Sequence, residues 1–94
     1  MKEKKIPVGA LVQSIAGHDA GDFFLVVRQE DNFVWVCNGK QRKANHCKQK
    51  NLKHITETGL VCDWVETHPE QINNTSVKKA IKEMLRDSQM ANRR

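Results

Sequence analysis

Short runs of β-branched and aromatic residues, separated by polar turn residues, dominate the first two thirds of the chain. The runs ALVQSIA (10–16), FFLVVRQE (23–30) and FVWVC (33–37) are rich in strand-forming side chains and too short for typical amphipathic helices. Two further runs follow, LKHI (52–55) and LVCDW (60–64). The pattern predicts five short strands, the second and third of which form a hairpin.

Turn-forming dipeptides mark the connections between these runs. DN (31–32) predicts a two-residue hairpin turn, and NG (38–39) and TG (58–59) predict two more turns. The segment KQRKANHCKQKN (40–51) contains few apolar residues and no periodicity, which predicts a loop. Closely spaced short strands with tight turns are typical of a small closed or half-closed β-barrel.

The hydrophobic pattern changes after the fifth run. A polar stretch that contains Pro69 is followed by apolar residues spaced as on one face of an α-helix. These residues are Val77, Ile81, Met84 and Leu85. We expect a C-terminal amphipathic helix, begun by Asn74 or Thr75 as N-cap, whose apolar face packs against the strands.

The chain therefore divides into five segments. Residues 1–5 are predicted to form a flexible basic arm, residues 6–65 the barrel and residues 66–75 a connector. The helix is expected over residues 76–90, and residues 91–94 form a tail that frays. The predicted fold class is mainly β, a small barrel with a C-terminal α-helix.

Charge is unevenly distributed along the chain. The 94 residues include 16 Lys and Arg against 11 Asp and Glu, a formal net charge of +5. No acidic residue lies between Asn32 and Thr56, the stretch that carries Lys40, Arg42, Lys43, Lys48, Lys50, Lys53 and His54. Segregated positive charge is typical of a nucleic-acid-binding face. A solvated loop without a partner, or an anionic membrane surface, is the alternative interpretation.

Several other classes of function are disfavoured. Cys37, Cys47 and Cys62 share no paired metal-ligand spacing, so we expect free thiols and no metal site. Phosphate-binding glycine loops, zinc-protease motifs and nucleophile elbows do not occur, which predicts no enzymatic activity, cofactor or small-molecule substrate. Without a long apolar run or an apolar segment behind the N-terminal lysines, the predicted location is the cytoplasm, with no membrane contact.

The first half of the chain resembles a known motif. VGALVQSIAG, a loop that ends at Gly21, and FFLVV together resemble the KOW motif of large-subunit ribosomal proteins and of the transcription elongation factor NusG. The continuation VWVCNGKQRKANHCKQKNLKHI is similar to the corresponding part of small bacterial KOW proteins. The resemblance covers residues 6–62. It implies an SH3-like β-barrel that binds RNA, usually ribosomal RNA, with ribosomal proteins as possible neighbours.

The distribution of charge and the resemblance to the KOW motif together predict which residues bind RNA. They are Lys40, Arg42, Lys43, Lys48, Lys50, Lys53 and His54, with Gly17, His18 and Gly21 from the loop between the first two strands. This loop departs from the family pattern, since Asp19 and Asp22 stand where Lys or Arg is usual. We therefore expect the loop to serve mainly as turn architecture, with Asp19 capping its own turn backbone.

The aromatic residues leave one question open. Most are expected in the core, but either Phe24 or Trp35 could face outward and stack on an unpaired base. The sequence thus predicts an RNA-binding accessory protein associated with the ribosome. The alternative is an SH3-like protein–protein interaction module in transcription or translation complexes.

Overall fold

Five antiparallel strands and a long C-terminal helix make up the protein. A computed structural model describes residues 5–92, and the side chains of residues 5–88. The strands are β1 (Ala10–Ser14), β2 (Phe23–Glu30), β3 (Phe33–Cys37), β4 (Lys48–Asn51) and β5 (Ile55–Val61). The helices are α1 (Trp64–Thr67) and α2 (Asn74–Asn92), with 3₁₀ turns at Leu52–His54 and Pro69–Gln71. Most of the predicted arm and the last two residues of the predicted tail lie outside the described residues.

The strands form one sheet in the order β4-β3-β2-β1-β5. The hairpin between β2 and β3 is confirmed, and Asp31 at its turn has a positive φ of 56°. Although β4 and β5 are opposite edges of the sheet, only the three residues Leu52–His54 connect them. A 3₁₀ turn rises about 2 Å per residue, so the sheet must curl until the joined ends of its edges lie close together. Since β4 and β5 do not pair, the sheet is not closed.

Three predicted elements are wrong in the region after β3. The expected loop 40–51 ends in a strand, because the amides and carbonyls of Lys48–Asn51 pair with β3 although their side chains are polar. The expected strand 52–55 is mostly the 3₁₀ turn. The expected strand 60–64 is the end of β5, followed by the start of α1 at Trp64.

The predicted turn at 58–59 is instead an irregularity inside β5. Val12 pairs with Glu57 and Ala10 with Val61, so β5 carries extra residues opposite β1. The Thr58 hydroxyl donates a hydrogen bond of 2.8 Å to the Leu11 carbonyl oxygen at this point. A bulge of this kind increases the local bend of a sheet. It explains why residues 58–59 have the composition of a turn although the chain does not reverse direction there.

The sheet buries apolar residues on both faces. Its concave face holds a cluster from every strand except β4, together with Ile6 and Leu52. Val34 and Val36, both fully buried, belong to this cluster. Leu25 and Cys37 face the opposite side, where they contact Val65 of α1 and Val77 of α2. The predicted packing of the C-terminal helix against the strands is therefore confirmed.

The start of α2 is held by a reciprocal pair of hydrogen bonds. The Asn73 side-chain oxygen accepts from the Ser76 backbone N–H at 2.8 Å, and the Ser76 hydroxyl accepts from the Asn73 N–H at 2.9 Å. This is the geometry of a capping box, with Asn73 rather than Asn74 or Thr75 as the cap. The Asn74 side chain is thereby left free to bind another segment.

Candidate nucleic-acid interface

The turn that follows β3 presents the first cations of the basic segment. Asn38 is buried, and its side-chain oxygen accepts hydrogen bonds from the backbone N–H groups of Lys40 (2.9 Å) and Arg42 (3.0 Å). The backbone N–H groups of Asn38 and Gly39 both donate to the Arg42 carbonyl oxygen. The predicted turn at 38–39 is confirmed, and it holds the backbone at the exposed Lys40 in a fixed conformation.

This turn is docked on the beginning of α2. The Ala44 N–H donates to the Asn74 side-chain oxygen at 2.8 Å, a contact that bridges 30 residues. Gly39 has a φ of +77°, and a Cβ at this position would lie 2.5 Å from the Asn74 carbonyl oxygen. Glycine is required there both by the backbone conformation and by the close approach of the helix. These contacts consequently fix the position of the basic turn relative to α2.

A groove opens between this turn, the beginning of β2 and one face of α2. Its volume is about 760 Å³. Four lysines line it, Lys40, Lys78, Lys79 and Lys82. Its apolar lining comes from Phe23, Ile81 and Leu85, and its remaining residues are Asp22, Asn38, Gln41 and Thr75. We call this feature the lysine groove.

The lysine groove carries a net positive charge that the described part of the chain does not neutralise. Among residues 5–88, none of its four lysines forms an ion pair. Asp22 is the single acidic residue in its lining, and its side chain is exposed. Four cations against one carboxylate around a half-open groove form a local positive field suited to an anionic ligand.

The rest of the basic segment lies on the turn itself, on β4 and on the 3₁₀ turn. Arg42 and Lys43 follow Lys40 in the turn, where Lys43 is exposed. Lys48 belongs to β4 and is half-buried, whereas the exposed Lys53 and His54 belong to the 3₁₀ turn. The structure therefore places Lys40 in the lysine groove and leaves the other solvent-accessible cations of the segment and His54 outside it. We call these residues, Arg42, Lys43, Lys48, Lys53 and His54, the second surface.

Lys50 does not belong to either exposed surface, which corrects its assignment as a phosphate contact. Its ammonium group forms an ion pair of 2.9 Å with Asp19, and the two side chains are only 6% and 15% exposed. The same nitrogen donates to the Ser14 hydroxyl oxygen at 3.0 Å. Lys50 pairs with Val34 across the β3–β4 ladder, so its side chain enters the concave face of the sheet and not solvent.

Asp19 likewise has a different role from the one expected. Its carboxylate accepts from Lys50 and, at 2.8 Å, from the Ser14 hydroxyl, and not from its own turn backbone. Burial alone would raise the pKa of Asp19, but the hydrogen bonds from Lys50 and Ser14 and the charge of Lys50 outweigh it and lower this pKa. The acidic residue in the glycine loop is thus the counterion of a lysine 31 positions away.

The glycine loop is closed by its own backbone. The Gly21 N–H donates to the Ser14 carbonyl oxygen at 2.7 Å, and the Ala20 N–H donates to the Gly17 carbonyl oxygen at 3.2 Å. Gly21 has a φ of +95°, and a Cβ at this position would meet no atom within 4 Å. Gly17, His18 and Gly21 are exposed, but the Gly21 amide is already used. The loop is therefore turn architecture, tied to β4 through Lys50.

The open question about the aromatic residues is answered in part. Phe24 is 1% exposed and belongs to the core, so it cannot stack on a base. Trp35 faces the outer side of the sheet, where the Arg28 guanidinium lies 4.5 Å from the centre of its ring. Arg28 also forms an exposed ion pair with Glu30 at 2.9 Å. One face of the Trp35 ring is thus covered by a cation.

Sequence reasoning missed Phe23 as part of the lysine groove, since Phe23 was expected in the core. The lysines of α2 were expected on a basic helix face that could add a second contact with RNA, but they are separated from Lys40 by nearly forty positions. The helical spacing of Lys78 and Lys82 does place them on one side of α2. That this side meets the turn at Lys40 depends on the Ala44–Asn74 contact, for which the sequence carries no local signal.

Comparison of the sequence with models of known protein families and with curated proteins finds no match. The resemblance to the KOW motif therefore remains a prediction. Within residues 5–92, no helix is long and apolar enough to cross a membrane. In the same part of the chain, no three His, Cys, Asp or Glu side chains lie close enough together to hold a metal ion.

Proposed function

We propose that the protein binds structured RNA through a basic surface, as an accessory protein of the ribosome. The observation that carries the proposal is the lysine groove, in which Lys40 of the basic segment meets three lysines of α2. Contacts from lysines to phosphates supply most of the sequence-independent affinity for nucleic acids. Lys43, Lys48, Lys53 and Arg42 extend the binding surface beyond the groove.

We also propose that the curled sheet is an SH3-like barrel of the KOW type. Two features support this finer assignment. Three residues join the opposite edges β4 and β5, and the Lys50 side chain crosses the concave face to reach Ser14 and Asp19. In this proposal the ion pair closes one end of the barrel, and the loop that resembles the KOW motif lies beside the basic strand β4.

Salt dependence of RNA binding tests the proposed function. Replacement of Lys40, Lys78 and Lys82 together by Gln should lower the slope of log K against log salt by roughly 2 to 3 units, at about 0.7–0.9 per lost phosphate contact. Affinity should fall to a similar extent for unrelated RNA sequences, since phosphate contacts position without specifying. Filter binding or fluorescence anisotropy between low and moderate salt measures both quantities.

Two further variants test whether the decrease in slope is specific to the lysine groove. The triple variant Lys43→Gln, Lys48→Gln, Lys53→Gln removes the same charge from the second surface, and we expect a smaller decrease in slope. Arg86→Gln changes one exposed charge of α2 outside the groove, so it is the control for the α2 substitutions of the first triple variant. Binding to RNA that is weak and insensitive to salt in the parent would refute the proposal and favour a protein–protein interaction module.

The ribosomal part of the proposal has its own test. The protein should co-sediment with large ribosomal particles at low salt and dissociate as the salt concentration rises, because the uncompensated lysines release counterions on binding. Recovery of the protein exclusively in the free pool at low salt would contradict an association with the ribosome. It would leave RNA binding itself to be judged by the salt slope.

A further inference from the structure

The lysine groove combines cations with an apolar lining, which contact with RNA phosphates alone does not require. Phe23, Ile81 and Leu85 are each half-buried and line the same groove as the lysines. A paired RNA helix presents phosphates, ribose hydroxyls and the shallow minor groove to a protein, whereas unpaired bases can leave the stack and pack on side chains. The apolar lining therefore suits a base that is not paired.

The size of the groove agrees with this chemistry. A volume of about 760 Å³ falls within the range of roughly 300–1,000 Å³ that is usual for pockets that enclose small ligands. Phe23 supplies an aromatic side chain, and Leu85 an aliphatic one, against which a flat base can lie. Lys78, Lys79 and Lys82 stand around the same opening, within reach of phosphates on either side of that base.

We propose that the lysine groove holds one unpaired nucleotide of a bulge or single strand, with its base against Phe23 and Leu85 and its flanking phosphates against the lysines. The inference rests on the proposed function, since it names the kind of RNA that the basic surface selects. Bases packed on side chains are typically read with little sequence preference. The groove thus confers a preference for unpaired structure, while the second surface contributes charge alone.

An acidic amphipathic peptide is a poorer occupant of this groove. Such a peptide anchors residues i, i+3 or i+4, and i+7, which span about 10 Å along a helix. The apolar residues that α2 contributes, Ile81 and Leu85, are one turn apart, or about 6 Å. The apolar residues of α2 therefore span less than the anchors of a helical peptide need, whereas a single base requires only one such contact.

Two RNA hairpins of equal phosphate number test the inference, one fully paired and one with a single unpaired nucleotide. Stacking of one base contributes about 1–3 kcal/mol, a factor of roughly five to one hundred and fifty. We expect the parent to bind the bulged hairpin about tenfold more tightly. In Leu85→Asn this ratio should fall below about twofold, because the bulged hairpin loses its base contact. Leu60→Asn, a half-buried leucine of β5 outside the groove, is the control and should keep the ratio.

The possible outcomes separate the inference from the proposed function. Equal affinity of the parent for both hairpins would overturn the inference and leave RNA binding intact, whereas no binding of either hairpin at low salt would overturn both. A ratio that persists in Leu85→Asn would place the base elsewhere and overturn the inference. Tighter binding of an acidic amphipathic peptide, lost in Leu85→Asn, would assign the groove to a protein partner.

Photocrosslinking provides a readout that does not depend on the stability of a variant. With 5-bromouridine at the bulge, irradiation of the parent complex should attach RNA to a peptide that contains Phe23 or residues 78–85 of α2. Mass spectrometry of the digested adduct identifies the peptide. An adduct confined to the peptide that contains Trp35 would overturn the inference, because Trp35 does not line the groove.

Discussion

The buried ion pair between Lys50 and Asp19 leads to the sharpest prediction about stability. Lys50→Met removes the ammonium group but keeps an apolar stem of similar length in the concave face of the sheet. Asp19 then retains the Ser14 hydroxyl as its hydrogen-bond donor. Its second carboxylate oxygen, Oδ2, is buried and has no hydrogen-bond partner among the described residues already in the parent. The variant therefore leaves a largely buried carboxylate without its countercharge.

The size of the effect follows from the burial of the pair. Removal of one partner from a buried ion pair costs about 3–5 kcal/mol. The Asp19 side chain is 15% exposed and so keeps some contact with water, which favours the lower end, about 3 kcal/mol. For a domain of this size, each kcal/mol lowers Tm by roughly 4–8 °C, so we expect a decrease of about 12–24 °C.

A double-mutant cycle isolates the pair from the general effect of mutation. Lys50→Met combined with Asp19→Asn removes both charges and keeps an acceptor for Ser14, so it should recover about 2 kcal/mol of the loss. Lys53→Met is the control, because Lys53 is exposed, follows Lys50 by three residues and forms no ion pair with a described residue. Its free energy of unfolding should change by less than about 0.5 kcal/mol.

The pair also predicts how stability depends on pH. Since the pKa of Asp19 is lowered in the folded protein, its contribution is present above the ordinary value of 3.8 and is lost as the pH falls through the folded pKa. The stability difference between parent and Lys50→Met should therefore shrink in acid. Urea denaturation followed by circular dichroism measures each free energy. A loss below about 1 kcal/mol in Lys50→Met at neutral pH, or no recovery in the double variant, would refute the reasoning.

Three further predictions follow from burial. Val77→Asp should cost several kcal/mol, because Val77 is fully buried against the sheet, and an unchanged Tm would show that the fold does not depend on the packing of α2. Gly39→Ala should destabilise the protein more than Gly21→Ala, because only Gly39 also meets a backbone oxygen, and equal denaturation midpoints would contradict this. Iodoacetamide at pH 8 should modify Cys62 before Cys37, since burial and the neighbouring Cys47 raise the pKa of Cys37 to about 12 while Cys62 is half-buried. Mass spectrometry measures the order of modification, and earlier modification of Cys37 would contradict the prediction.

Local patterns were sufficient for the elements whose signals lie within a few residues. The strand at 23–30 and its partner at 33–37 are observed with the predicted bounds, because β-branched and aromatic residues flank a two-residue turn. The C-terminal helix is observed at Asn74–Asn92, where the spacing of apolar residues predicted it over 76–90. In both cases one short stretch contains the conformational preference and the pattern of burial.

The polar strand β4 could not be predicted in this way. KQKN at residues 48–51 has the composition of a loop, and it is a strand because β3 offers a free edge for hydrogen bonds. The bulge in β5 is similar, since the turn signal at 58–59 is real but the pairing with β1 keeps the chain extended. Pairing between distant segments decides such cases, and local propensity does not describe it.

The candidate site also combines features that the sequence determined with features that only the tertiary structure decided. The sequence by itself determined that positive charge is concentrated between Asn32 and Thr56 and along one side of α2, since charge depends only on residue type. Tertiary structure decided which of these charges reach solvent. It buried Lys50 against Asp19 and brought Lys40 to the lysines of α2 through the contact of Ala44 with Asn74. Whether a lysine is a counterion or a ligand-binding group depends on the partner that the fold places beside it.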